Sequence, residues 1–111
     1  MEARTKIIFV DENGDKFFGE GPYQLLLGVE RTGSLRCAAM EMGMAYSKAM
    51  KLVRHAEAAL GFPLTQRTVG GASGGGSCLT LRGKEWMSRY GDYRDACAQA
   101  NARLYLEFFP G

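Results

Sequence analysis

The chain has 111 residues, 46% hydrophobic and 23% charged, with a formal net charge of +2; this size and mixture suit one folded domain with its own core and exclude wholesale disorder. No apolar run nears the roughly 18–20 residues of a membrane helix. The opening Met1-Glu2-Ala3-Arg4-Thr5-Lys6 leads into a short strand-like run and not a signal-peptide core, so a cytoplasmic protein with no membrane partner is expected.

Cys37, Cys78 and Cys97 show no C-x-x-C spacing, and His55 is the single histidine. Neither a disulfide framework nor a zinc site is expected, and the thiols read as reduced, half-buried small hydrophobes. The charge is unevenly spread. Met1 to Glu30 holds three Lys/Arg against six Asp/Glu, whereas Arg31 to Arg89 holds nine against three. A positive field confined to the middle of the chain suits a polyanionic partner.

In chain order, Lys6-Ile7-Ile8-Phe9-Val10 and Phe17-Phe18 flank an Asn13-Gly14 turn signal and predict a hairpin. Gly19, Gly21 and Pro22 break it. Pro22 is expected as the first residue of a helix with Leu25, Leu26 and Val29 on its apolar face, closed at Gly33. Ser34 then caps a short helix from Leu35 to Met42, ended by Gly43. A third helix is predicted from Tyr46 to Leu60, stopping at Gly61 before Pro63. Leu64-Thr65-Gln66-Arg67-Thr68 and Cys78-Leu79-Thr80 frame a glycine-rich segment and predict a second hairpin. Thr80 is placed to cap a final helix over 81–108.

Two short helices locked at a steep angle need small residues at their crossing and a turn residue that tolerates positive φ. Ala38, Ala39 and Gly43 meet those needs, with Met42 and Met44 flanking the turn and Ala49, Leu52, Val53 and Ala56 facing inward. The opposite face of the third helix shows Ser47, Lys48, Lys51, Arg54 and His55, the short polar and basic set that a DNA major groove accepts. Ser47, Lys48 and Lys51 are the base-edge candidates, with Tyr46 and Arg54 beside them. Ser34, Arg36, Arg67 and the wing residues Ser73 and Ser77 are the phosphate candidates.

The run Gly33-Ser34-Leu35, Ala38-Ala39, Met42 to Ala49, Leu60-Gly61-Phe62-Pro63-Leu64, Arg67 to Gly71, Gly74 to Ser77, Leu79-Thr80 and Gly83 resembles the N-terminal domain of the ModE molybdate-responsive repressors, itself similar to the LysR-type DNA-binding domain. The resemblance covers roughly residues 17 to 93, and the doubled glycine cluster before Leu79-Thr80 is its most specific part. It implies a dimer on double-stranded DNA, with helix 46–60 in the major groove and wing 69–77 on the backbone or minor groove. Two positions depart from that family: Ala45 stands where a hydroxyl residue is usual, and Met50 where tryptophan is common. The family's molybdate-binding domains have no counterpart in this sequence, so neither molybdate binding nor any cofactor is expected.

Trp86, Tyr90, Tyr93, Cys97, Ala100, Leu104 and Phe108 fall on one stripe of the final helix. A stripe of that length outreaches a small core and is expected to pair with a second chain. The expected architecture is α+β: one winged helix-turn-helix domain over 1–111, with an N-terminal hairpin, helix-turn-helix 34–60, wing 64–80 and a C-terminal dimerisation helix 81–108. An enzyme is not expected. The glycines lack the Lys-Ser/Thr pair of a phosphate loop, and His55 has no nucleophile beside it. The alternative is a winged-helix protein-interaction module without DNA binding, which would carry an apolar patch on the third helix.

Overall fold

Eight elements follow in the order β1 (Ile8–Val10), β2 (Lys16–Gly19), α1 (Glu20–Thr32), α2 (Leu35–Glu41), α3 (Tyr46–Leu60), β3 (Thr65–Thr68), β4 (Gly76–Leu79) and α4 (Leu81–Phe108). The computed structural model describes residues 1–68 and 76–111. Strands β1 and β2 pair antiparallel, as do β3 and β4, in two separate two-stranded sheets. This is an α+β winged helix-turn-helix, with β3 and β4 as the base of the wing.

The first hairpin turns where the Asn-Gly signal lies. Gly14 takes φ 84°, and Asp11 Oδ1 accepts the backbone N–H groups of Asn13 (2.9 Å) and Asp15 (3.0 Å). Strand β1 starts at Ile8 and not at Lys6, because its partner β2 ends at Gly19, opposite Ile8, where α1 begins. Pleating turns Phe9 inward and leaves Ile8 and Val10 about half exposed. Pro22 sits at the third position of α1 and not the first. That is still within the first turn, where no intrahelical N–H bond is made.

Side chains from every helix and both hairpins meet in one core. Phe18, Leu25, Leu26 and Val29 meet Ala38 and Ala39 of α2, Ala49, Val53 and Ala56 of α3, Leu64 and Leu79 of the wing base, and Met87 and Tyr90 of α4. The small alanines bring the helices close: a Cβ added at Gly28 would lie 2.9 Å from Ala38 Cβ. Cys78 and Cys97 are half-buried as expected. Cys37 is exposed instead, because α2 turns only Leu35, Ala38 and Ala39 inward.

Helix α4 runs unbroken through Gly91 for 28 residues. Gly91 is a point of close approach, since a Cβ there would lie 3.0 Å from Tyr23 Oη. The first half of α4 packs on its own chain. Phe18 stands edge-on to Trp86 and Tyr90, with ring centroids 5.3 and 5.0 Å apart. Tyr90 donates to Glu20 Oε1 at 3.3 Å, and Arg94 pairs with Glu20 Oε2 at 3.2 Å while stacking over Tyr23. Burial pushes the Glu20 carboxyl up, but hydrogen bonds from Gln24 and Arg94 outweigh it and hold it below its ordinary value. The stripe on α4 therefore divides. Trp86 and Tyr90 pack against the chain's own hairpin, whereas Leu104 (51% exposed) and Phe108 (73% exposed) project beyond the core. Among the described residues no helix is long and apolar enough to cross a membrane.

Candidate nucleic-acid interface

Local chemistry builds the helix-turn-helix one cap at a time. Gly33 closes α1 at φ 73°, and Ser34 opens α2 by accepting the Cys37 N–H on its Oγ at 3.1 Å. Gly43 takes φ 65° in the turn, and the Met44 N–H returns to the Ala39 carbonyl at 2.9 Å. Ala45 is the N-cap of α3; its backbone is extended as a cap should be, but its side chain accepts nothing. Ala45→Ser should therefore stabilise the fold by about 1 kcal/mol. Thermal unfolding followed by circular dichroism would show it, and an unchanged or lower midpoint would contradict it.

Helix α3 buries Ala49, Val53 and Ala56 and leaves Ser47, Lys48, Lys51 and Arg54 exposed. Ser47, Lys51 and Arg54 lie along one stripe at i, i+4 and i+7, with Lys48 beside them. Leu52 is only half-buried. The Arg36 guanidinium stacks over the Tyr46 ring, 4.2 Å from its centroid, which joins the N-terminal ends of α2 and α3. Among the described residues, Arg36, Lys48, Lys51, Arg54 and Arg67 make no ion pair with a carboxylate. Arg31, by contrast, is neutralised by Glu41.

The wing base docks on the same end of the motif. Arg67 and Ser77 are register partners across β3 and β4, and the Ser77 N–H donates to the Gly33 carbonyl at 2.8 Å. That bond sets Ser77 beside the Gly33-Ser34 turn, with Arg67 exposed on the neighbouring strand. Ser34, Arg36, Tyr46, Arg67 and Ser77 are thus linked into one region through named contacts. Ser73 and the glycine-rich wing tip, Val69 to Gly75, lie outside the described residues.

Two side-chain pairings, and a second role for the anticipated Thr80 cap, were not foreseen from the sequence. The Glu57 carboxylate accepts the Leu64 N–H at 2.7 Å and the Thr65 N–H at 3.4 Å, pinning the start of the wing to α3. Thr80 Oγ1 donates to the Pro63 carbonyl at 2.7 Å and also accepts the Gly83 N–H, so one side chain caps α4 and ties down the wing. His55 is not simply solvated: its Nε2 lies 3.7 Å from Asp11 Oδ2. The Asp11 carboxyl is held below its ordinary value by the Asp15 backbone N–H, and further by Asn13 and His55. Only the Ser/Thr-x-x pattern of Thr80 had a sequence signal; the other two are long-range pairings.

The sequence profile of bacterial regulatory helix-turn-helix proteins of the lysR family matches residues 23–84. The chain belongs to that family. It is also similar to the molybdenum-pterin-binding protein MopB of Rhodobacter capsulatus, with 37% identity over 67 residues, 60% of this chain and 25% of that protein. The chain thus spans about a quarter of the length of the curated relative it matches. The matched family segment begins within α1 and ends at the start of α4, so it encloses both helices of the motif and the wing. The chain carries a ModE-like helix-turn-helix domain.

Proposed function

We propose that the chain regulates transcription in the cytoplasm as a homodimer that reads a specific operator. Residues 1–111 act as a single DNA-binding unit in this reading. Helix α3 enters the major groove, where Ser47, Lys48 and Lys51 reach base edges with Tyr46 and Arg54 beside them. Ser34, Arg36, Arg67, Ser77 and the wing-tip Ser73 meet the phosphate backbone or the minor groove. The observation that carries this reading is the outer face of α3. It presents Ser47, Lys48, Lys51 and Arg54 exposed and without carboxylate partners among the described residues, where a protein-interaction module would present an apolar patch.

The second half of α4 supports the dimer. Cys97, Ala100, Leu104 and Phe108 continue the stripe from Tyr93, and Leu104, Leu106, Phe108 and Phe109 are all more than half exposed. Apolar surface on that scale is favourably removed from water by a second copy, and two-fold pairing presents two recognition helices to one DNA duplex. Operators selected from random duplex should then show two pseudo-palindromic half-sites about one or two helical turns apart.

Fluorescence anisotropy with selected and random duplexes across a salt titration tests the assignments. Lys51→Ala should cost about 1–3 kcal/mol on the selected operator and relax its specificity. Arg67→Ala should weaken binding to every duplex and reduce the salt slope by about one unit. Equal affinities for the wild type and both variants at all salt concentrations would sink the reading.

A further inference from the structure

A cleft of about 530 Å³ opens between the N-terminal strand region and α4, outside the helix-turn-helix. Aromatic rings form its walls. Phe9 lies 5.3 Å from Trp86, 5.9 Å from Tyr90 and 6.0 Å from Tyr93, in edge-on or tilted arrangements that hold all four in place. Lys6 and Arg89 line the same cleft. Both are exposed, neither pairs with a carboxylate among the described residues, and no carboxylate lines the cleft. Trp86 adds a second polar shortfall, because its Nε1 is the one buried side-chain polar atom among the described residues without a partner.

We propose that this cleft binds a small aromatic carboxylate, which acts as an effector of the regulator. The volume falls within the roughly 300–1,000 Å³ common for ligand sites, which pair apolar walls with a few placed polar groups. Charge decides the class of ligand. A neutral aromatic would leave Lys6 and Arg89 unused, and a bare inorganic anion would leave the four rings unused; a ring bearing a carboxylate uses both. A second copy of the chain is a poorer occupant, because it would have to cover the unpaired Lys6 and Arg89 charges, whereas Leu104, Leu106 and Phe108 offer it an apolar surface without them at the far end of α4. The binding stands by itself, whereas the effector role rests on the DNA-binding reading.

Trp86 is the only tryptophan of the chain, so its emission reports directly on the cleft. The full chain is titrated with benzoate, with benzamide (ring without charge) and with acetate (charge without ring). Benzoate should change the emission saturably and bind at least about tenfold more tightly than either control, the scale of one charge-assisted hydrogen bond. Lys6→Ala and Arg89→Ala, both at exposed positions, should each weaken benzoate by about tenfold with the unfolding midpoint unchanged. The proposal is overturned if benzoate binds no better than the controls, or if both variants bind it like the wild type. It is also overturned if the emission follows protein concentration and ignores benzoate, which would assign the cleft to a second copy. None of these measurements uses DNA, so they fail or succeed apart from the DNA-binding reading. Operator affinity with and without benzoate then tests the effector role: a change supports it, and identical affinities overturn it while leaving the site in place.

Discussion

Replacing Phe18 with alanine should lower the unfolding free energy by about 3–5 kcal/mol, the usual cost of deleting a buried phenylalanine ring. Phe18 has no exposed surface and stands edge-on to both Trp86 and Tyr90, so its ring is a fully buried apolar link between the first hairpin and α4. A domain of this size is stable by only about 5–15 kcal/mol in total, so the loss is a large share of it. The melting midpoint should fall by more than about 10 °C. The neighbouring strand supplies the control. Ile8 and Val10 are about half exposed on β1, and alanine at either should cost less than about 1 kcal/mol. A Phe18→Ala midpoint no lower than that of Ile8→Ala would show that the hairpin is not docked on α4 as described.

Gly76→Ala should reduce DNA affinity about 10–100-fold, through the position of the wing and not through any contact of its own. A Cβ at Gly76 would lie 2.4 Å from the Gly33 carbonyl oxygen, and that same oxygen accepts the Ser77 N–H at 2.8 Å. Both groups are backbone, so the methyl can be accommodated only by moving β4 away from the turn between α1 and α2. Arg67, paired in register with Ser77, must move with it. The variant should therefore keep its helical circular dichroism and lose affinity for selected and random duplexes alike. Gly21→Ala is the matched control, because a Cβ there meets nothing within 4 Å. Undiminished binding by Gly76→Ala would mean that the docked wing base contributes nothing to the interface.

These outcomes bear on how the molecule divides its labour. The wing base, the N-terminus of α2 and the start of α3 are joined by backbone hydrogen bonds and one cation–π contact, a short and stiff set of connections. The first hairpin and the near half of α4 form a separate aromatic cluster, which carries the proposed ligand cleft. The two share Phe18, Leu25 and Tyr90 through the common core, so a ligand at the cleft and DNA at the motif would act on one packed body.

Much of this was legible in the residues. Gly33, Ser34, Gly43, Gly61 and Thr80 marked helix ends that the structure places within a residue or two, because capping is decided within a single turn of chain. The polar face of α3 was legible for the same reason, since a 3.6-residue period says which side chains share a face. What the sequence by itself determined, then, was the succession of elements, the family resemblance and the candidate DNA-facing side chains. Only the tertiary structure decided what covers each face. It showed that Trp86 and Tyr90 pack against the chain's own hairpin, that Cys37 points outward, and that Glu41 neutralises Arg31. It also showed that Glu57 and Gly33 anchor the wing. Those facts depend on partners brought together from distant parts of the chain, and periodicity along one helix carries no information about what packs against it.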